Sequence, residues 1–568
     1  MKSGAILRNG GQILISALLQ NSCKAVFGVP GESYLTALDA LWQRANLIRY
    51  ITCRHEGGAC FMAGAYADAT GEPGVCFVTR GPGAMNAAIG LHAAYQGSTP
   101  LILLVGQIST AHRDREAFQE LDYRRVFGPM CKWVAEIDHP SRIPEYVNRA
   151  WRTAISGRPG PVVLVLPEDM LKAECDTPDL KPAMATPVAP LAADMAAIET
   201  MLARAKRPLL LLGGANWTQA GHDAIIRAAE NFSLPVAVGF RRQGLFPHDH
   251  PNYIGNLGFG GAPMPNDYCR QADLILAVGS RLGDGTTLKF SLIPSPVAHC
   301  RLVHVHPGAE ELGRLYQADL LVQADPNAFA VALAALAAIA APGGTPGRAA
   351  IRALARQRYL AMLDLAVQPG PVDMGAVMRF LSQRLPADAF MTTGAGNASD
   401  WPNIHFRYRR FRGALAPVCG AMGFGVPAAV AAKIADPDAP AIYIGGDGDF
   451  LMNGQEFATA IQYGLDPIFI VVDNRSYGTI RMHQERAFPG RNSGTGLTNP
   501  EFATVAIGYG GHGETVEATD DFEPAFERAL ASGKAAVIHV KVGADHLGPN
   551  MTVSALNSRR TVRQRLSN

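Results

Sequence analysis

The sequence is short of charge. Only 18% of its 568 residues are Asp, Glu, Lys or Arg, against about 25% in an average globular protein. With 48% hydrophobic residues the chain can fill several buried cores, so intrinsic disorder is excluded. It also lacks an excess of either sign: 51 Lys plus Arg against 49 Asp plus Glu give +2. That balance offers no electrostatic footprint for nucleic acid or an anionic membrane, and neither is expected as a partner. No C-x-x-C occurs among the nine cysteines, which scatter from Cys23 to Cys419. An odd, unpatterned set reads as reduced cytoplasmic thiols rather than a disulfide framework or a zinc site. Long hydrophobic runs are missing too. The most apolar helix-like run, Ala328 to Ala341, is 14 residues, short of the ~18 that suggest a membrane span. The N-terminal stretch is broken by Arg8, Asn9 and Gly10 and carries no A-x-A cleavage site. No signal peptide is therefore expected, and a cytoplasmic location is.

The length suggests roughly three or four domains. Short β-branched runs alternate with Ala-rich helical segments throughout, the signature of parallel α/β layers. Strands are expected at Ala25–Val29, Gly74–Thr79, Leu101–Val105 and Val162–Leu166. A second set follows at Pro208–Leu212, Pro235–Val238, Leu274–Val278 and Leu302–Val305. The third is Ala389–Thr392, Ala441–Ile444, Ile468–Val472 and Ala536–Val542. Their continuously apolar character suits sheets covered on both faces. Four prolines between Asp176 and Pro190 and the run Pro342–Gly347 read as linkers. The fold class expected is α/β, with three doubly wound parallel-sheet domains at 1–175, 191–341 and 348–550 and a tail at 551–568.

The strongest local chemistry is Gly446-Asp447-Gly448, directly after the strand AIYI, with Asn474 27 residues beyond Asp447 at the end of another strand. Two strand ends of one parallel sheet bring Asp447 and Asn474 to the same rim, where open α/β sheets bind ligands. A carboxylate and an amide oxygen suit magnesium, a hard cation that completes its shell with phosphate and water. The glycines let backbone N–H groups approach a phosphate.

This pattern resembles the thiamin-diphosphate signature, a GDG followed after some 25 residues by an Asn pair. Asp473 stands at the first Asn position and Asn474 at the second, the metal ligand. The resemblance extends over almost the whole chain and is closest to the acetolactate synthase-like group. It implies a pyrimidine-binding first domain, a central Rossmann-like domain and a diphosphate-binding last domain. It places Mg2+ on Asp447, Asn474 and the Ser476 carbonyl. The segment RHEGGACFMAGAYADATG assigns Glu56 to the cofactor's pyrimidine ring, with His55 beside it. There a carboxyl sharing a proton with a ring nitrogen favours the imino tautomer whose neighbouring nitrogen takes the thiazolium proton. Gly81, Pro82 and Gly83 shape the following turn, with Asn86 in the helix start. Gln119 matches a residue near the reacting centre, and Phe118 and Lys132 have counterparts near the substrate.

In the last third, CGAMGFGVPAA assigns Gly420 and Met422 to the cofactor, Met422 propping its bent conformation. The turn Thr393–Ser399 matches the diphosphate loop through Gly396, Asn397 and Ala398, with Asn397-Ala398 where acetolactate synthases carry Gln-His. Asp449, Tyr477 and Gly478 complete the cofactor-binding set. Thr479 and His483 stand where acetolactate synthase has a Met and an acceptor-shaping Trp, so they are the candidate substrate residues. FAD is a further cofactor of anabolic relatives; Arg158, Gly213-Gly214 and Gly279–Leu282 are the residues here that it could use. NLGFGGAP lacks the His of the corresponding acetolactate synthase motif. The resemblance implies decarboxylation of a 2-oxo acid and transfer of the acyl carbanion to a second carbonyl. Simple decarboxylation, or cleavage of a diketone, is the alternative within the family, and a cofactor-binding regulatory paralogue the alternative outside catalysis. A homodimer or homotetramer, with sites at the subunit interface, is expected.

Overall fold

An apolar strand without alternation has to be covered on both faces, and a parallel sheet between two helical layers does that. Three such sheets form. The computed structural model describes residues 7–339 and 347–558, and the chain divides into two compact units, residues 1–187 and 188–568.

The first unit holds one six-stranded parallel sheet: β1 Ala25–Gly28, β2 Arg49–Thr52, β3 Gly74–Val78, β4 Leu101–Gln107, β5 Trp133–Glu136 and β6 Pro161–Pro167. Its order is β2-β1-β3-β4-β6-β5. Every residue of β3, β4 and β6 is buried.

The second unit holds two. The central sheet has β7 Pro208–Leu212, β8 Val236–Val238, β9 Tyr253–Asn256, β10 Leu274–Val278, β11 Arg301–His306 and β12 Leu320–Gln323. Its order, β9-β8-β7-β10-β11-β12, is that of the doubly wound dinucleotide-binding fold. The last sheet has β13 Phe390–Thr393, β14 Ala414–Leu415, β15 Ala441–Gly446, β16 Ile468–Asp473, β17 His512–Val516 and β18 Ala536–Lys541, in the order β14-β13-β15-β16-β18-β17. The first and last sheets therefore share one topology, and the central sheet has another. The expected α/β class with three doubly wound parallel sheets is what forms.

Residues 176–191 carry no helix or strand, as the proline density predicts. The helix expected from Ala328 to Ala341 runs over Pro326–Ile339, and its last expected residues, with all of the expected linker but Gly347, lie outside the described residues. Of the expected tail, Met551–Thr552 pairs antiparallel with His546–Gly548, and residues 559–568 lie outside the described residues. All nine cysteines are free thiols. Among the described residues no helix is long and apolar enough to cross a membrane.

Candidate active site

In the first unit, Glu56 opens the helix Glu56–Thr70 just past the C-terminal end of β2. His55 caps that helix, its Nδ1 accepting from the Gly57 N–H at 3.0 Å. Glu56 is half-buried, and its Oε2 accepts from Asn86 Nδ2 at 2.9 Å. Asn86 belongs to the helix Gly81–Gly97, which begins after β3. A Cβ at Gly83 would lie 3.0 Å from Glu56 Oε1, so the glycine leaves that oxygen uncovered. The carboxylate is thus oriented through one oxygen and open at the other.

The neighbouring loop is held in an uncommon backbone. Asp114, Glu116 and Gln119 all have positive φ, a costly conformation for non-glycine residues. The Glu120 carboxylate secures it by accepting from Asp114 N–H at 2.8 Å and Ala117 N–H at 3.0 Å. Gln119 accepts from the Gly81 N–H through its carbonyl at 3.1 Å, and Phe118 stands 76% exposed beside it. Lys132 has a local explanation: Nζ donates to the carbonyls of Thr153 and Ser156 at the C-terminus of the helix Ile143–Ile155. A cation there meets the negative end of the helix dipole. Arg158 likewise donates to the Tyr95 carbonyl and Ser98 Oγ at the end of the helix Gly81–Gly97. His92 is exposed.

In the second unit the C-terminal ends of β13, β15 and β16 border a cavity of about 310 Å³. In the sheet order, successive connections from β13 leave in opposite directions, and such a switch point opens a crevice at the strand ends. Gly396, Asn397 and Ala398 line it after β13; Gly446 at the end of β15 and Asp447, Gly448 and Asp449 just past it; Asn474, Ser476, Tyr477, Gly478 and Thr479 after β16. Gly420 and Met422 supply a further wall. The cofactor-binding residues expected from the last third of the sequence thus meet around one space. A Cβ at Gly446 would approach nothing closer than Ala398 Cβ at 3.9 Å, and Gly420, at φ +70, would meet nothing within 4 Å. These glycines leave room in the cavity rather than relieve crowding.

Asp447 accepts from the Gly448 N–H at 2.9 Å and from Asn499 Nδ2 at 2.7 Å. The same Asn499 amide donates to Asp473 at 2.8 Å, and His539 Nε2 lies 2.9 Å from the other Asp473 oxygen. Burial pushes the Asp447 carboxyl up. Burial acts on Asp473 in the same sense, but hydrogen bonds from His539 and the Arg475 N–H hold it below the usual carboxylate range. Asn474 is fixed by its Nδ2 donating to the His546 carbonyl at 2.8 Å and its Oδ1 accepting from the Ser476 N–H at 3.1 Å. Among the described residues no cluster of three His, Cys, Asp or Glu side chains could hold a metal. A cation here would meet one carboxylate, one amide oxygen and one carbonyl. That hard-oxygen set fits magnesium sharing its shell with phosphate oxygens and water, rather than zinc.

Asp449 is taken up by the protein. Its Oδ1 accepts from Ala395 N–H at 2.8 Å and Gly423 N–H at 3.0 Å, and its Oδ2 from the Tyr443 hydroxyl at 2.7 Å. Thr479 Oγ1 donates to Asn397 Oδ1 at 2.9 Å and accepts from the Asn397 N–H at 3.0 Å, so it braces the turn after β13. His483 is exposed on the helix Gly478–Ala487 and is not among the residues around the cavity. In the central sheet, Gly213-Gly214 and Gly279 press their turns together: a Cβ at Gly214 would lie 2.3 Å from the Gly279 carbonyl. Packing alone therefore requires these glycines. The cavity also recruits Arg241, Trp401, His546, Leu547 and Gly548, which carry no local motif.

Three family models match the chain in sequence order. "Thiamine pyrophosphate enzyme, N-terminal TPP binding domain" matches residues 8–126, "central domain" 195–333 and "C-terminal TPP binding domain" 394–540. Acetolactate synthase isozyme 2 large subunit of Escherichia coli (strain K12) is 32% identical over 554 residues, 97% of this chain and 98% of its own. A probable acetolactate synthase large subunit of Methanocaldococcus jannaschii is 32% identical over 552 residues, 94% of this chain and 92% of its own. The chain belongs to the thiamin-diphosphate-dependent, acetolactate synthase-like enzymes.

Proposed function

We propose that the chain is a thiamin-diphosphate- and magnesium-dependent carboligase that decarboxylates a 2-oxo acid and passes the acyl carbanion to a second carbonyl compound. The observation that carries this reading is the meeting of Asp447, Asn474 and Ser476 with the Gly396–Ala398 turn around one cavity at a topological switch point. When bound, thiamin diphosphate supplies a thiazolium that takes up the electron pair released as the bond to carbon dioxide breaks. Asp447, Asn474 and the Ser476 carbonyl would hold Mg2+ against the diphosphate, and the open glycines would let the backbone approach it. Glu56 would hold and return the proton at Oε1, with Asn86 fixing the carboxylate through Oε2. Gly420 and Met422 would contact the rings. A homo-oligomer, dimer or tetramer, is part of the proposal.

The test is product analysis with a panel of 2-oxo acids, with and without an added aldehyde or second 2-oxo acid. A carboligase releases carbon dioxide and forms a hydroxyketone or 2-hydroxy-2-alkyl-3-oxo acid. Aldehyde as the sole organic product, released with carbon dioxide, would assign simple decarboxylation. Absence of carbon dioxide across the panel, despite bound cofactor, would overturn the proposed reaction.

A further inference from the structure

Arg241 follows β8 of the central sheet, yet its side chain reaches the cavity bordered by the last sheet. It is only 5% exposed, and its backbone sits at φ 57, a conformation that costs a non-glycine residue energy. Its guanidinium donates through Nη1 to the Gly394 carbonyl at 2.5 Å and the Pro417 carbonyl at 3.1 Å. Nη2 donates to Ser399 Oγ at 3.2 Å, and Ser399 Oγ in turn donates to the Gly396 carbonyl at 2.6 Å. One side chain therefore ties the turn after β13 to the Pro417–Gly420 segment. Those two segments carry Gly396, Asn397, Ala398 and Gly420 of the cavity wall. Nε is buried with no partner.

The charge is as informative as the clamp. Burying a cation is expensive unless an anion compensates it. All three hydrogen-bond partners of Arg241 are neutral oxygens, and the buried Asp400 and Asp449 carboxyls offset part of its charge through space. Asp447 and Asp449 also line the cavity. Arg241 is the one Lys or Arg among the lining residues. A planar fork that satisfies several carbonyls at once is a task for Arg that Lys cannot reproduce.

We propose that Arg241 is a positioning residue for the cofactor's diphosphate end: it locks the two turns that form the cavity wall and sets a single guanidinium among that wall's carboxylates. The inference rests on the thiamin-diphosphate reading of the cavity. It predicts that Arg241 governs cofactor capture more than turnover.

The test uses the full chain with Mg2+. Calorimetry gives the Kd for thiamin diphosphate, and steady-state kinetics gives the cofactor KM and kcat separately. Arg241→Lys, which keeps the charge but loses the fork, should raise Kd and cofactor KM at least tenfold, about 1.4 kcal/mol. At saturating cofactor its kcat should stay within about threefold of wild type. Ser399→Ala, which removes one arm of the clamp and disturbs less, should shift the same parameters in the same direction by a smaller factor; it carries the test if Arg241→Lys fails to fold by circular dichroism. An unchanged Kd in a folded Arg241→Lys protein, or a fall in kcat with unchanged KM, would overturn the role of Arg241. Should Arg241→Lys not fold, an unchanged Kd in Ser399→Ala would overturn it. Wild-type protein that binds no thiamin diphosphate would instead overturn the reading on which this role rests.

Discussion

Asp449 offers a sharp separation of geometry from charge. It is 3% exposed and accepts three hydrogen bonds, from Ala395 N–H, Gly423 N–H and the Tyr443 hydroxyl. Gly394 makes room for it, since a Cβ there would lie within 2.2 Å of the carboxylate. Replacing Asp449 by Ala strands all three donors away from water. At about 1–3 kcal/mol for each buried donor left unpaired, the loss should be about 3–9 kcal/mol. That is a large part of the roughly 5–15 kcal/mol that stabilises a typical domain. Asn is different. Its carbonyl oxygen can keep both backbone donors, and the Tyr443 hydroxyl can turn to accept from its amide. Only charge assistance is lost, and burial already opposes that charge by pushing the Asp449 carboxyl up. Asp449→Asn should therefore fall within about 1 kcal/mol of wild type. Urea unfolding followed by tryptophan fluorescence is a suitable assay, because Trp401, fully buried, sits in the helix that follows the same turn. Equal destabilisation by Asn and Ala would show that the charge, not the number of accepted bonds, holds this junction together.

Glu56→Gln should lower turnover by on the order of 100-fold or more while leaving cofactor affinity nearly intact, as expected for loss of an acid–base group; near-normal turnover of the purified variant would remove Glu56 from the chemistry. Asp447→Ala should abolish Mg2+-dependent retention of thiamin diphosphate, and equilibrium dialysis giving the same affinity with and without chelator would refute the metal assignment. Acid should destabilise the fold through His248, whose Nε2 donates to the Gln243 carbonyl and whose ring stacks on Tyr253 with centroids 4.0 Å apart. Burial lowers its pKa to about 3, against about 6.5 when unfolded. Between those values the unfolded chain binds a proton that the folded chain refuses, so stability is full above pH 6.5 and declines as pH falls. At pH 5 this amounts to about 2 kcal/mol, and His248→Gln should lose that much less than wild type between pH 7 and 5; parallel losses would assign the acid sensitivity elsewhere.

The sequence revealed the middle of each sheet and missed the margins. The twelve expected strands are the four inner strands of all three sheets, and the six that escaped, β2, β5, β9, β12, β14 and β17, are the edges. The physical reason is solvent. An inner parallel strand is sealed on both faces and both sides, so it reads as an unbroken apolar run. An edge strand has one open flank and often a partly open face. β2 (Arg49–Thr52) and β17 (His512–Val516) each bury one residue and carry Arg or Glu among the others. β14 is only Ala414–Leu415, too short to leave a pattern. β9 is buried, but Gly255 at φ +117 interrupts its sequence signal.

The site divides along a similar line. Residues whose chemistry is bound to a local backbone shape were legible: an acid after a strand, a glycine where the cavity needs space, an amide at the next strand end. Residues that reach the site only through the fold were not. Arg241 meets Gly394 across 153 positions of chain, and nothing in FRRQGLFP says that the first arginine will be buried. Asn499 joins Asp447 and Asp473 from a stretch with no secondary structure, and His539 reaches Asp473 across 66 positions from the neighbouring strand β18. These are the supports rather than the contacts. Asp473 illustrates why they matter. Read alone, an aspartate in place of an asparagine brings a second negative charge beside Asp447. In the fold, Asn499 and His539 hold that carboxylate with its oxygens engaged, which explains why the substitution can coexist with an intact set of oxygen donors at Asp447, Asn474 and Ser476.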